Sequence, residues 1–217
     1  MADMQLTKYT HSCVRLDDGG RTLVIDPGVF SEAATALDGA QAVLITHEHI
    51  DHLDAPALLA AAATNAALRV WAPAAVVPAL AELGDRVTAI TADESFEAAG
   101  FSVRTFGGLH ALIHPLVGAL VANVAYLVDD AVYHPGDSFM VPPAPVETLL
   151  VPIHAPWSKI GEVLDFVAAV RARRAFQIHD ALLNDRGSGL VDAHVGRISA
   201  MYGTTYTRLA AATTVEV

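Results

Sequence analysis

The feature that most constrains this chain is the run His47-Glu48-His49-Ile50-Asp51-His52, set directly behind the apolar stretch 42–46. A short apolar run bounded by polar residues reads as a buried strand. The fold must therefore deliver three imidazoles and a carboxylate from the end of that strand. In an extended segment, residues two apart point the same way, so His47 and His49 converge on one point. Asp51 and His52 are then placed to turn toward a second point nearby. This mixed nitrogen and oxygen set suits Zn²⁺, Mn²⁺ or Fe²⁺. With 10 histidines in 217 residues, chance is a poor explanation for the pattern.

The rest of the chain alternates strands and helices. Strands are expected at 4–9, 13–16, 21–25, 69–72, 87–90, 94–98 and 101–106, and later at 122–128, 131–133, 148–153, 175–178 and 213–217. Helices are expected at 55–67, 74–83, 158–171 and 190–202. The turn Asp17-Asp18-Gly19-Gly20 is a hairpin signal, since it supplies residues that tolerate positive φ. No linker or tandem repeat breaks the sequence, so 1–217 reads as one domain. Its two halves are expected to form two facing sheets with helices outside, an α/β four-layer αββα sandwich.

Composition excludes several classes of function. Apolar residues make up 53% and charged ones 17%, enough for a large core and unlike a disordered chain. A net charge of −11 would be repelled by a phosphate backbone, which argues against a nucleic-acid partner. The apolar stretch 55–75 is interrupted by Asn65, Arg69 and Pro73, so no membrane span is expected. The lone Cys13, read as a small buried residue, fits a reducing compartment, and residues 1–11 lack a signal-peptide pattern. A soluble, cytoplasmic protein acting on a small molecule is the resulting expectation, with a homo-oligomer left open.

The His-x-His-x-Asp-His run after an apolar strand resembles the signature of the metallo-β-lactamase-fold hydrolases. Further segments match that family in order across nearly the whole chain. They are Asp26-Pro27-Gly28, Gly107-Gly108-Leu109-His110, Tyr133-His134-Pro135-Gly136-Asp137-Ser138 and Gln177-Ile178-His179. Thr10-His11-Ser12 and Val151-Pro152-Ile153-His154 are similar to the branch that includes ascorbate-6-phosphate lactonase and uncharacterised metal-dependent hydrolases. The resemblance implies two divalent metal ions, Zn²⁺ first, with Mn²⁺ or Fe²⁺ as alternatives. It implies His47, His49 and His110 at one ion, and Asp51, His52 and His179 at the other. Asp137 would bridge both together with a hydroxide, and Asp51 and Asp137 would serve catalysis. The implied reaction is hydrolysis of a small lactone, ester or phosphoester. A phosphodiesterase or a non-catalytic metal-binding protein of the same fold is the alternative.

His110 and His114 compete for the third histidine position, and Gly107-Gly108 favour His110 by letting the backbone approach closely. His114 is then a cleft or loop residue. His154, Trp157 and Lys159 are expected to face substrate: Trp157 as an apolar wall, Lys159 as a point charge for an anionic group at a helix N-terminus. His11 is left between a site-bordering and a structural role, and His134 reads as structural. Asp180 reads equally as support for His179 or as a solvated carboxylate.

Overall fold

The computed structural model describes residues 4–117 and 120–217; the first three residues of the N-terminal segment considered above lie outside it. Its first sheet grows from the expected hairpin. Strands β2 (Val14–Asp18) and β3 (Arg21–Ile25) pair in register from Val14↔Ile25 to Asp18↔Arg21. Gly19 and Gly20 between them take φ of 56° and 88°, the conformation such a two-residue turn requires. Strand β1 (Gln5–Lys8) pairs with β2 and with the terminal strand β14 (Thr213–Glu216). Beyond β3, the strands β4 (Ala42–Leu44), β5 (Arg69–Ala72) and β6 (Val87–Ala89) add in parallel. The order is β14-β1-β2-β3-β4-β5-β6.

The second sheet has the same mixed character. Strands β7 (Ser95–Ala98), β8 (Phe101–Gly107), β9 (Val124–Val128) and β10 (Val132–His134) run antiparallel in succession. Strands β11 (Thr148–Pro152), β12 (Arg174–Ile178) and β13 (Thr205–Thr207) continue in parallel from β10. Period-two alternation sends each strand's side chains to two different cores. In β3, Leu23 and Ile25 enter the core between the sheets with Val103, Tyr126, Val132 and Leu150, whereas Val24 faces outward. Outside the first sheet lie α1 (Ala33–Ala36), α2 (Ala55–Thr64) and a 3₁₀ segment (Val77–Arg86), which pack Leu37, Leu58 and Leu80 onto Val24, Val43 and Val70. Outside the second lie α3 (Ile160–Val170) and α4 (Asp185–Met201), which bring Phe166, Val167 and Val195 onto Tyr133, Leu149 and Val151. This is the αββα arrangement, and no described helix is long and apolar enough to cross a membrane.

Several local expectations are corrected. The helix expected at 74–83 is the 3₁₀ segment, broken where Leu80 and Gly84 leave helical φ/ψ. Helix α4 starts at Asp185 instead of 190, because the Asn184 side chain accepts the Gly187 N–H at 2.9 Å and caps a glycine-rich first turn. Short α1 and β13 were not anticipated. Helix α3 begins at Ile160, and the Glu162 carboxylate accepts the Lys159 N–H at 2.8 Å. Cys13 is fully buried, and burial pushes its thiol up to about 12.

Candidate metal centre

Strands β3, β4, β8, β10, β11 and β12 all end at one edge of the sandwich, and the polar residues that follow them meet there. Strand β4 is followed by Thr46, His47 and the loop to His52, and β10 by Pro135-Gly136-Asp137. Strand β8 leads through Gly107 and Gly108 to His110, and β12 leads directly to His179. Near this edge the sheets are tied by Val124 N–H donating to the Thr46 carbonyl at 2.9 Å and Tyr126 Oη–H donating to the Ile45 carbonyl at 2.7 Å.

The structure brings together all seven residues that the sequence reading assigned to the two ions. One group comprises His47, His49, His110 and Asp137; the other comprises Asp51, His52, His179 and His11. Asp137 stands between them. Its Oδ2 lies 3.2 Å from His110 Nε2, 3.2 Å from His179 Nε2 and 4.0 Å from His47 Nε2, while its Oδ1 lies 3.0 Å from His52 Nε2.

Four of the imidazoles, those of His47, His52, His110 and His179, are aimed by a partner on Nδ1. Asp26, at the end of β3, accepts from Thr46 N–H at 2.8 Å, from Thr46 Oγ1–H at 2.7 Å and from His52 Nδ1 at 2.6 Å. Thr46 Oγ1, its own proton given to Asp26, accepts from His47 Nδ1 at 2.9 Å. His110 Nδ1 donates to the Ala111 carbonyl at 2.5 Å, and His179 Nδ1 to the His154 carbonyl at 2.6 Å. Placing the ring proton on Nδ1 leaves the Nε2 lone pair facing inward; this tautomer is inferred from the network. His110 and His179 thus point lone pairs at a carboxylate oxygen, acceptor against acceptor.

That arrangement is the test of whether a cation fits. Three buried atoms of the centre lack a hydrogen-bond partner: His52 Nε2, His179 Nε2 and Asp137 Oδ1. Buried polar atoms are rarely left unpaired, and these three all belong to residues of the two groups. Burial holds His47 and His49 below the usual imidazole range, which keeps their lone pairs available. Burial opposes charge on His52 as well, but Asp137 and Asp26 outweigh it and hold its pKa well above the ordinary value. For Asp137 burial would raise the pKa, yet the neighbouring His52 leads the opposing effects, which hold it well below the carboxylate range. The centre is built to host positive charge, and its donor set of imidazoles and carboxylates fits divalent metal ions.

His11, which the sequence leaves between a site-bordering and a structural role, lies in the second group. Fully buried and at φ 63°, it sets Nε2 3.1 Å from Asp51 Oδ2, with its ring 4.0 Å from that of His179. The Ala181 N–H approaches its Nδ1 at 3.4 Å, so the ring proton belongs on Nε2 and is donated to Asp51. Burial would raise the Asp51 pKa, but this hydrogen bond and the neighbouring His52 outweigh it and hold it down to about 2.

The remaining residues fall outside the two groups. His114 is exposed on its loop, and its Nδ1 accepts the Leu116 N–H at 3.1 Å. His110→Ala should therefore lower metal occupancy in a titration while His114→Ala leaves it intact; the reverse pattern would exchange their roles. Trp157 is buried, and its Nε1–H donates to Asp137 Oδ2 at 2.8 Å, so it holds the central carboxylate in place of offering an apolar wall to substrate. His154 contributes its carbonyl to His179, and its imidazole is half-buried outside both groups. Lys159 is exposed at the start of α3, where Glu162 already occupies the first turn. His134 is structural: its Nε2 donates to the Ser12 carbonyl at 2.9 Å and its Nδ1 accepts the Gly136 N–H at 3.1 Å. Asp180 is no solvated carboxylate, since it pairs with buried Lys8 and with Arg208, each at 3.0 Å.

Comparison with known proteins agrees with this geometry. Residues 5–179 match the beta-lactamase superfamily domain. Protein Rv0786c of Mycobacterium tuberculosis is 36% identical over 208 residues, covering 94% of this chain and 95% of that protein. A UPF0173 metal-dependent hydrolase of Aeropyrum pernix is 28% identical over 150 residues, covering 62% of this chain and 61% of its own length. The metallo-β-lactamase-fold protein YhfI of Bacillus subtilis superposes with a TM-score of 0.76 at 15% identity, with 100% of both chains covered. The chain belongs to the beta-lactamase superfamily domain family.

Proposed function

We propose that the protein hydrolyses a small lactone, ester or phosphoester at a two-metal centre, with Zn²⁺ as the first candidate metal. The observation that carries this reading is Asp137, a buried carboxylate ringed by inward-facing imidazoles from both groups. His47, His49 and His110 would hold one ion, Asp51, His52 and His179 the other, and Asp137 would touch both. When bound, two such ions supply an acidified water and a Lewis acid for the substrate's carbonyl or phosphoryl oxygen. The chain's own residues do the rest. Asp26 and Thr46 fix the His52 and His47 rings, while Trp157 holds Asp137. No serine or cysteine nucleophile is needed, and Cys13 is too deeply buried and too weakly acidic to act as one.

His11 serves as a positioning residue. By donating to Asp51 Oδ2 it keeps that carboxylate ionised and turned toward His52 and His179. Loss of such an outer partner costs roughly 10–100-fold in metal affinity. His11→Ala should therefore weaken the ion at the second group by that factor in a chelator competition and spare the first. His11→Gln, which keeps a donor, should recover part of the loss. Equal weakening of both ions would reject the role.

The function itself is tested on protein reloaded with Zn²⁺ or Mn²⁺, by elemental analysis and turnover of a panel of lactones, carboxylic esters and phosphoesters. About two ions per chain with metal-dependent turnover is expected. Trace metal alone would reject the centre, and two ions without turnover on any substrate would favour a binding protein. Lys159, exposed beside the segment that supplies Trp157, is proposed to meet an anionic group of the substrate. Lys159→Ala should raise KM for an anionic substrate and leave a neutral analogue unaffected. Equal effects on both would remove Lys159 from the site.

A further inference from the structure

A cleft of about 260 Å³ opens over the first group, with His49 and His110 in its lining. Its walls include Leu112, Ile113, Val117 and Leu120, which are 49%, 47%, 57% and 65% exposed. Isolated exposed aliphatics are ordinary, but contiguous apolar surface around a concavity marks a contact site. Among the described lining residues the only carboxylate is Glu48, and no lysine or arginine is present. The cleft therefore disfavours a negative group and rewards an uncharged apolar one.

We infer that this cleft receives an uncharged alkyl or aryl arm of the substrate, held so that the scissile carbonyl or phosphoryl lies over the imidazoles below. The inference rests on the hydrolase reading and narrows it to substrates with one apolar arm. Two other occupants fit less well. A second copy of the chain seated here would close the centre off, because two imidazoles of the first group line the cleft itself. An anionic membrane surface would repel a chain of net charge −11.

The experiment uses the full chain loaded with Zn²⁺ and a series of straight-chain hydroxamic acids from acetyl to octanoyl, followed by calorimetry. The hydroxamate end chelates metal, and the alkyl end samples the cleft. Burial is worth ~0.8 kcal/mol per methylene, which converts to about fourfold. Partial burial should give about two- to fourfold tighter Kd per added methylene until the cleft is full. Leu112→Asp, at a half-exposed position the fold should tolerate, should flatten the series. If acetohydroxamate binds only in the presence of metal but longer chains gain nothing, the apolar arm is wrong and the metal centre stands. If no hydroxamate binds the loaded protein, the metal centre falls and the inference falls with it. A flat series together with a dimer in sedimentation that Leu116→Asp dissociates would assign the rim to a second copy and overturn the inference.

Discussion

Asp137→Asn should strip metal from both groups at once and leave the fold standing. The residue is 2% exposed and its backbone is independently held, since its N–H donates to Asn123 Oδ1 at 2.9 Å and its carbonyl accepts the Ala111 N–H at 2.8 Å. Asparagine has the same shape, so packing is preserved. What changes is the charge between the two groups and the replacement of one acceptor by an NH₂ donor. A neutral amide cannot offset two divalent ions, and its donor face would meet the lone pairs that should bind them. Elemental analysis should fall from about two ions per chain to less than one. Thermal unfolding gives a reading independent of turnover. At a metal concentration 100 times Kd, a single ion stabilises the native protein by about 2.7 kcal/mol. For a chain of this size that is a rise in Tm of roughly 5–11 °C. The parent should show a rise of at least that size on adding Zn²⁺, and Asp137→Asn little or none. A variant that keeps two ions and the full rise would remove Asp137 from the centre.

The way the site divides between what was legible and what was not follows from chain distance. His47, His49, Asp51 and His52 share one loop, so their convergence is a local property of an extended segment and can be read directly. His110, Asp137 and His179 each follow a strand, and a glycine pair or a Gly-Asp turn marks the first two. The supporting contacts carry no such local sign. His11 reaches Asp51 across 40 residues and His52 reaches Asp26 across 26, whereas Trp157 meets Asp137 from a separate crossover. Only the topology, with six strands ending at one edge, brings them together. One sign was available for Asp26: it is a polar residue abutting a strand, β3, that is apolar on both faces, a position where burial demands a partner. In the fold, both sheets were legible from alternation. Helix α4 was cut short because glycines at 187 and 189 lower helix propensity, which the Asn184 cap overrides. The 3₁₀ segment reads as α-helix because its apolar spacing gives no warning of the break at Leu80.

Gly28→Ala should be among the most damaging single-methyl additions to this protein, although Gly28 binds nothing. It follows Asp26-Pro27, and a Cβ built on it would lie 1.9 Å from the Asp51 carbonyl oxygen and 2.5 Å from the His52 nitrogen. Both are backbone atoms, so no side-chain rotation can relieve the clash. The neighbouring chain is also pinned: Val29 N–H donates to the Ile50 carbonyl and Asp54 N–H to the Pro27 carbonyl, each at 2.8 Å. Either these bonds break or the 51–52 backbone moves away, taking Asp51 and His52 out of the second group. Overpacking of this kind costs about 1–3 kcal/mol and occasionally more. With only backbone to displace, the upper end is expected, a fall in Tm of roughly 6–12 °C. Metal content separates this from simple destabilisation. Folded Gly28→Ala, assayed well below its Tm, should retain the ion held by His47, His49 and His110 and lose most of the other. A variant with parental Tm and both ions would show that the 51–52 loop does not depend on the close approach at Gly28.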